Sequence, residues 1–98
     1  AMAGAFAMPA AADMAAGKAK ANAACAVCHG AQGIATLPNA PNLAGQPQIY
    51  LVEQLKNYRS GQRTHEVMAV IAKPLSDQEI DDLSAWYASL RMELSPGQ

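Results

Sequence analysis

Apolar residues recur every three or four positions in the middle of the chain, which is the spacing of one helix face. The residues of this stripe are Ile49, Leu51, Val52, Leu55 and Tyr58. Pro47 suits the first turn of a helix, and Ser60-Gly61 suits its end. The pattern predicts a helix over residues 47–60 that buries this stripe.

A second helix is predicted near the end of the chain, where a capping box marks its start. Ser76 and Glu79 have the spacing at which each side chain bonds the backbone N–H of the other residue. The helix that follows has an apolar face at helical spacing. Its predicted buried residues are Ile80, Leu83, Tyr87 and Leu90.

An alanine-rich segment before residue 30 predicts the first helix. Asp13 can cap its start, and Gly30 is placed to end it. Residues 32–46 contain two prolines and two glycines without periodicity, so they predict an irregular loop. Gln62 to Leu75 is predicted to be a connector that holds a short apolar piece, Val67 to Ala72.

These elements predict one domain over residues 13–92. We expect residues 1–12 to be an N-terminal extension of processed or recombinant origin, and residues 93–98 to be a C-terminal tail. The extension lacks the basic start of a signal peptide and is interrupted by Gly4 and Pro9. We expect no integral membrane segment, because no stretch reaches the length of a membrane span.

Composition favours an all-α fold. Of the 98 residues, 51% are hydrophobic but only 5% are aromatic. Alanine supplies much of the non-aromatic hydrophobic fraction, and alanine favours helices over sheets. The formal net charge of −1 gives no reason to expect a nucleic-acid partner. A chain this short buries a small core and usually needs a bound group to stabilise it.

Two cysteines and a histidine form the motif Cys25-Ala26-Val27-Cys28-His29. Two thiols three positions apart, followed at once by an imidazole, are typical of covalent haem attachment. Residues three apart share a helix face, so both sulfurs can reach one edge of a porphyrin. His29 is then placed to bind the iron as its proximal ligand. We therefore expect one haem c, held through two thioethers.

Two other sites fit the motif less well. A redox dithiol of this spacing needs a βαβ context, and the chain has no run of alternating β-branched residues. A zinc site needs four ligands. Cys25, Cys28, His29 and His65 would supply four, but they lack a second closely spaced pair.

The residues alone leave three possibilities for the sixth ligand of the iron. Met68 lies past the second predicted helix, where the connector can return across the open face of a haem. His65 is the rival, and an open sixth position is the third possibility. Methionine is a common core filler. The other methionines are less well placed: Met2, Met8, Met14 and Met92.

Taken together, these segments resemble the class I c-type cytochromes, and within them the small exported bacterial branch that includes each half of the dihaem cytochrome c-four type. The resemblance runs from about Asp13 to Leu90. It rests on Ala16-Gly17-Lys18, Cys25-Ala26-Val27-Cys28-His29-Gly30, Pro41-Asn42-Leu43-Ala44-Gly45-Gln46, Gln54-Leu55-Lys56-Asn57-Tyr58-Arg59-Ser60-Gly61, Met68, Leu75-Ser76-Asp77-Gln78-Glu79-Ile80 and Trp86-Tyr87-Ala88.

The resemblance implies a fold of three to five helices around one covalently bound haem. It assigns the thioethers to Cys25 and Cys28, and it assigns the axial bonds to His29 and Met68, which places Met68 ahead of His65.

The resemblance also implies roles for flanking residues. The Pro41 carbonyl should accept a hydrogen bond from His29, and Leu43 should pack beside the haem. Gly17 should let the first helix cross the last one closely, with Trp86 at the crossing. By residue type alone, Tyr58, Arg59 and Arg63 are candidates to pair with the haem propionates.

The function implied is one-electron transfer between exported redox partners of a respiratory chain, in the periplasm and without enzymatic chemistry. The partners should bind transiently, and the chain is expected to be a monomer, with a dimer as the alternative. Two other functions are a haem-based sensor with an open sixth site, and an electron-entry domain of a larger dehydrogenase or oxidase.

Residues 21–52 contain no Asp, Glu, Lys or Arg, although they hold the haem motif and the loop after it. We expect a largely neutral, apolar rim around an exposed haem edge. Alternatively, this segment packs under the haem and the docking face lies elsewhere.

Haem-free protein is expected to lose much of its helical structure, because the macrocycle would be missing from the middle of a small core. Far-ultraviolet circular dichroism of the haem-free and haem-loaded chains measures this. Native helicity in the haem-free chain would contradict the expectation.

Overall fold

The computed structural model describes residues 11–91, which form five helices and no strand. The helices are α1 (Met14–Ala24), α2 (Ala26–His29), α3 (Gln48–Ser60), α4 (Glu66–Ala72) and α5 (Asp77–Ser89). None of these helices has the length and apolar character needed to span a membrane. The all-α prediction is confirmed. The predicted limits of the domain stay a prediction, since most of the extension and the tail lie outside the described residues.

The first predicted helix is divided in two. Asp13 caps α1 as expected, since its carboxylate accepts hydrogen bonds from two first-turn N–H groups at 2.9 and 3.1 Å. The prediction of one helix as far as Gly30 is wrong, because Cys25 has a φ of −118° and interrupts it. The short α2 follows and ends at Gly30. Cys25 therefore lies at a turn between the two helices.

Helix α3 has the predicted bounds, with Pro47 before it and Gly61 after it. Leu51 is buried, but Ile49 is 83% exposed, so its predicted place in the buried stripe is wrong. Ile49 lies two positions before Leu51, which turns it by about 200° around the helix axis.

The predicted connector contains helix α4, which its sequence pattern does not reveal. Seven residues are too few to show a clear helical period. The helix also begins after His65, and histidine is not among the common N-cap residues.

Helix α5 begins with the predicted capping box, which is confirmed in both directions. The Ser76 hydroxyl accepts from the Glu79 N–H at 3.0 Å, and the Glu79 carboxylate accepts from the Ser76 N–H at 3.0 Å. Ile80, Leu83 and Tyr87 are buried as predicted. Leu90 lies just beyond the helix and packs half-buried against the core.

Helices α1 and α5 cross closely at Gly17. A Cβ at this position would overlap the carbonyl oxygen of Asp82 and would lie 3.1 Å from the Cβ of Trp86. The Asp82 carboxylate also accepts a hydrogen bond from the Asp13 N–H at 2.7 Å, which ties the start of α1 to α5. The expected crossing of Gly17 and Trp86 is confirmed. The buried core beside it consists of Ala21, Leu51, Ala72, Leu75, Ile80, Leu83 and Tyr87.

Gly17→Ala is expected to lower the free energy of unfolding by about 1–3 kcal/mol, because the added methyl group forces the two helices apart. Urea denaturation of the haem-loaded protein, followed by circular dichroism, measures the change. Ala19→Ser, on the exposed side of α1, is the control and should stay within about 0.5 kcal/mol of the parent. Equal stability of the two variants would contradict a close crossing.

Candidate functional site

A cavity of about 690 Å³ lies among the helices, and all five contribute to its wall. This volume falls within the range of about 300–1,000 Å³ that is usual for pockets that hold small molecules and cofactors. Cys25, Cys28 and His29 line it together with Met68. The structure therefore brings residues that are up to 43 positions apart in sequence to one site.

The two cysteines are free and half-buried at the cavity wall. Burial raises the pKa of the Cys25 thiol above its ordinary value. A catalytic dithiol needs the opposite shift, because its nucleophile is the thiolate. Together with the absence of a strand from residues 11–91, this gives no support to a thioredoxin-like redox site.

His29 is buried, and its Nδ1 atom lies 2.8 Å from the carbonyl oxygen of Pro41. A carbonyl oxygen only accepts hydrogen bonds, so Nδ1 must carry the proton and donate it. The lone pair of the neutral ring is then on Nε2, the atom that remains available to a metal. The hydrogen bond expected from the resemblance is present.

The irregular loop that carries Pro41 is held by its own hydrogen bonds. The Asn42 side chain accepts from the Ala35 N–H at 2.7 Å, and the Leu43 N–H donates to the Gly33 carbonyl at 2.8 Å. These bonds fold the loop back on itself, and Leu43 lines the cavity beside Pro41. The loop therefore positions a carbonyl group for His29 without regular secondary structure.

Helix α4 brings both candidates for the sixth ligand to the cavity. Met68 is half-buried in the wall, and His65 lies at the start of the same helix. The Nδ1 atom of His65 accepts hydrogen bonds from the N–H groups of Val67 and Met68, each at 3.2 Å. Met14 is 51% exposed and does not line this cavity. Met2, Met8 and Met92 lie outside the described residues.

Two buried hydroxyl groups also line the cavity, and their role is not evident from the sequence. Ser84 Oγ and Tyr87 Oη have no hydrogen-bond partner among the described residues. Ser84 lies four positions after Ile80 and therefore on the predicted buried face of the helix. This spacing is the one sequence signal that could have indicated its burial. Buried polar atoms without partners are rare, and here they fit a wall that contacts a bound group.

Within residues 11–91, no group of three or more His, Cys, Asp and Glu side chains could hold a metal ion. This finding gives no support to the zinc site considered from Cys25, Cys28, His29 and His65. The thiols and His29 instead line a cavity of the size usual for cofactor pockets.

Comparison with known protein families shows to which family the chain belongs. The family model described as cytochrome c matches residues 14–91. The chain belongs to the cytochrome c family. Haem c is the covalently bound cofactor of this family, and a cavity with two free thiols and an available His29 Nε2 fits it.

Within this family, the chain is similar to particular bacterial cytochromes. The chain is 47% identical over 83 residues to cytochrome c4 of Thiocapsa roseopersicina, covering 85% of this chain and 43% of that protein. It is 43% identical over 80 residues to cytochrome c-554(548) of Halomonas halodenitrificans (strain ATCC 12084 / NCIMB 8669), covering 79% of this chain and 95% of that protein. The chain thus spans less than half the length of its cytochrome c4 relative.

A solved structure shows the same fold. The crystal structure of reduced recombinant cytochrome c4 from Pseudomonas stutzeri matches with a TM-score of 0.76 and 36% identity, covering 83% of this chain and 47% of that one. The class I cytochrome c fold expected from the sequence is confirmed, and so is the resemblance to cytochrome c4.

Proposed function

We propose that this chain is a one-electron carrier with a covalently attached haem c, which exchanges electrons with redox partners in the periplasm. The observation that carries this proposal is the His29–Pro41 hydrogen bond. It leaves Nε2 of a buried imidazole available beside two free thiols. A haem bound here supplies the chemistry, since its iron exchanges one electron between the ferrous and ferric states.

In this proposal, some residues of the chain bind the haem and its iron, and apolar residues around them exclude water. Cys25 and Cys28 form the thioethers, and His29 is the proximal ligand. Apolar side chains that include Leu43 and Leu83 line the cavity and exclude water. Neither a nucleophile nor a general base is required for electron transfer, so the proposed role is not enzymatic.

Met68 is the proposed sixth ligand, and the hydrogen bonds of His65 support this choice. Because backbone N–H groups only donate, the lone pair of the His65 Nδ1 atom is used and the proton of the neutral ring lies on Nε2. That tautomer has no lone pair to offer a metal. The thioether of Met68, which lines the same cavity, remains available, and methionine ligation raises the reduction potential.

Arg63 is the proposed partner of the haem propionates. It is the one Asp, Glu, Lys or Arg side chain among the described residues that line the cavity. Its guanidinium group lies 4.8 Å from the Tyr58 ring and donates to the Gln54 side chain at 2.7 Å. Arg59 bonds the Leu75 carbonyl and the Asp77 carboxylate instead and does not line the cavity.

Met68→Ala is expected to abolish the weak near-red absorption band of methionine-ligated ferric haem and to let the ferrous protein bind carbon monoxide. The parent should show the band and bind no carbon monoxide, because Met68 fills the sixth position. Optical spectra of both oxidation states, with and without carbon monoxide, measure this.

Met14→Ala is the matched control, because Met14 is exposed outside the cavity. It should behave like the parent. A parent protein that lacks the band and binds carbon monoxide readily would favour the sensor with an open sixth site.

The uncharged segment over residues 21–52 supports a neutral docking face. Five of its large apolar residues are exposed rather than packed beneath the cavity: Val27, Ile34, Leu37, Ile49 and Tyr50. Leu37 and Tyr50 also line the cavity, so exposed apolar surface continues to its edge. Charge complementarity mainly sets the rate of association, so a neutral face gives little dependence on salt.

The electron self-exchange rate between reduced and oxidised copies is expected to change less than about threefold between about 0.05 and 0.5 M ionic strength. Broadening of NMR lines in mixed oxidation states measures this rate. Val27→Lys should make the rate rise with salt, because the added charges repel until they are screened.

Val70→Lys adds the same charge outside the neutral segment, at a residue that is 71% exposed. Its effect should be the smaller of the two. A steep salt dependence in the parent, or equal effects of the two lysines, would place the docking face elsewhere.

A further inference from the structure

His65 is held in a fixed position at the start of α4. Its backbone is extended, and its Nδ1 atom accepts hydrogen bonds from the N–H groups of Val67 and Met68. First-turn N–H groups have no partner within a helix, so the imidazole satisfies two of them. One of the two belongs to Met68 itself.

The other side of the ring is supported by helix α3. The Tyr58 ring meets His65 edge to face, with centroids 6.5 Å apart and planes at 80°. Tyr58 is in turn covered by the Arg63 guanidinium group. The cap of α4 is therefore joined to a neighbouring helix as well as to its own first turn.

Helix α4 depends on this cap more than a longer helix would. It has only seven residues, and helices of that length are unstable without tertiary support. Met68 is the third residue of the helix, so fraying of the first turn would move it directly. In contrast, the His29 side chain is buried and bonded directly to the loop that carries Pro41.

We propose that His65 is a positioning residue, which keeps Met68 at the sixth coordination position by capping the helix that carries it. This inference rests on the proposed haem ligation by Met68. Loss of the cap frees two N–H groups, loosens the first turn of α4 and makes the methionine easier to displace. His65 itself does not bind the iron.

The test measures how easily added imidazole displaces the sixth ligand of the ferric, haem-loaded protein at one fixed pH. His65→Ala should raise the apparent imidazole affinity by about 2- to 30-fold, which is the range expected for loss of an N-cap. His65→Asn should restore most of the parental value, because its side-chain oxygen can accept the same N–H groups. Optical titration in the near-red band gives the readout.

Ser76→Ala is the matched control for a general loss of stability. Ser76 caps α5 and lies outside the cavity wall, so its removal deletes a helix cap without touching α4. It should lower the thermal stability of the protein and leave imidazole binding at the parental value. Circular dichroism of each variant shows that the fold is retained.

Several outcomes would overturn the proposal. Parental imidazole binding in His65→Ala would do so, and so would an equal increase in Ser76→Ala. If His65→Asn behaved like His65→Ala, the effect would come from contact with Tyr58 and not from the cap. Met68→Ala separates this failure from failure of the proposed function. If that variant keeps the near-red band, Met68 is not the ligand.

Discussion

The hydrogen bond between His29 and the Pro41 carbonyl is the interaction on which the site depends. It places the proton on Nδ1 and leaves Nε2 available, so it makes a buried imidazole suitable for a metal. The hydrogen bond also explains the role of the irregular loop, which holds the Pro41 carbonyl oxygen 2.8 Å from the His29 Nδ1 atom. The bonds made by Asn42 and Leu43 hold that loop.

The same atom has opposite roles in the two histidines of the cavity wall. Nδ1 of His29 donates to a carbonyl group, whereas Nδ1 of His65 accepts from two N–H groups. The partner of each ring thus decides its tautomer, and the tautomer decides whether Nε2 can bind a metal. From the sequence alone, His65 remained a rival to Met68 as the sixth ligand. Residue type and spacing do not reveal which group bonds the Nδ1 atom of His65.

The sequence predicts α3 and α5 closely, because each is long enough to show a period and has a recognisable boundary at Pro47 or Ser76. It does not reveal α4, whose cap is a histidine oriented by Tyr58 from another helix. It also misses the break at Cys25, since a continuous alanine-rich run gives no sign of one. The cap of α4 depends on a tertiary contact with Tyr58, whereas the Cys25, Cys28 and His29 motif is local in the sequence.

The two sides of the cavity are supported unequally. His29 is buried and bonded to a loop that is itself tied to α5 through the Gly45 N–H and the Tyr87 carbonyl, 3.0 Å apart. Met68 is carried by a seven-residue helix whose cap, His65, is exposed to solvent. Local opening is easiest where few buried contacts hold the chain. The first structural opening of the site is therefore expected on the side of α4, with the His29 side left intact.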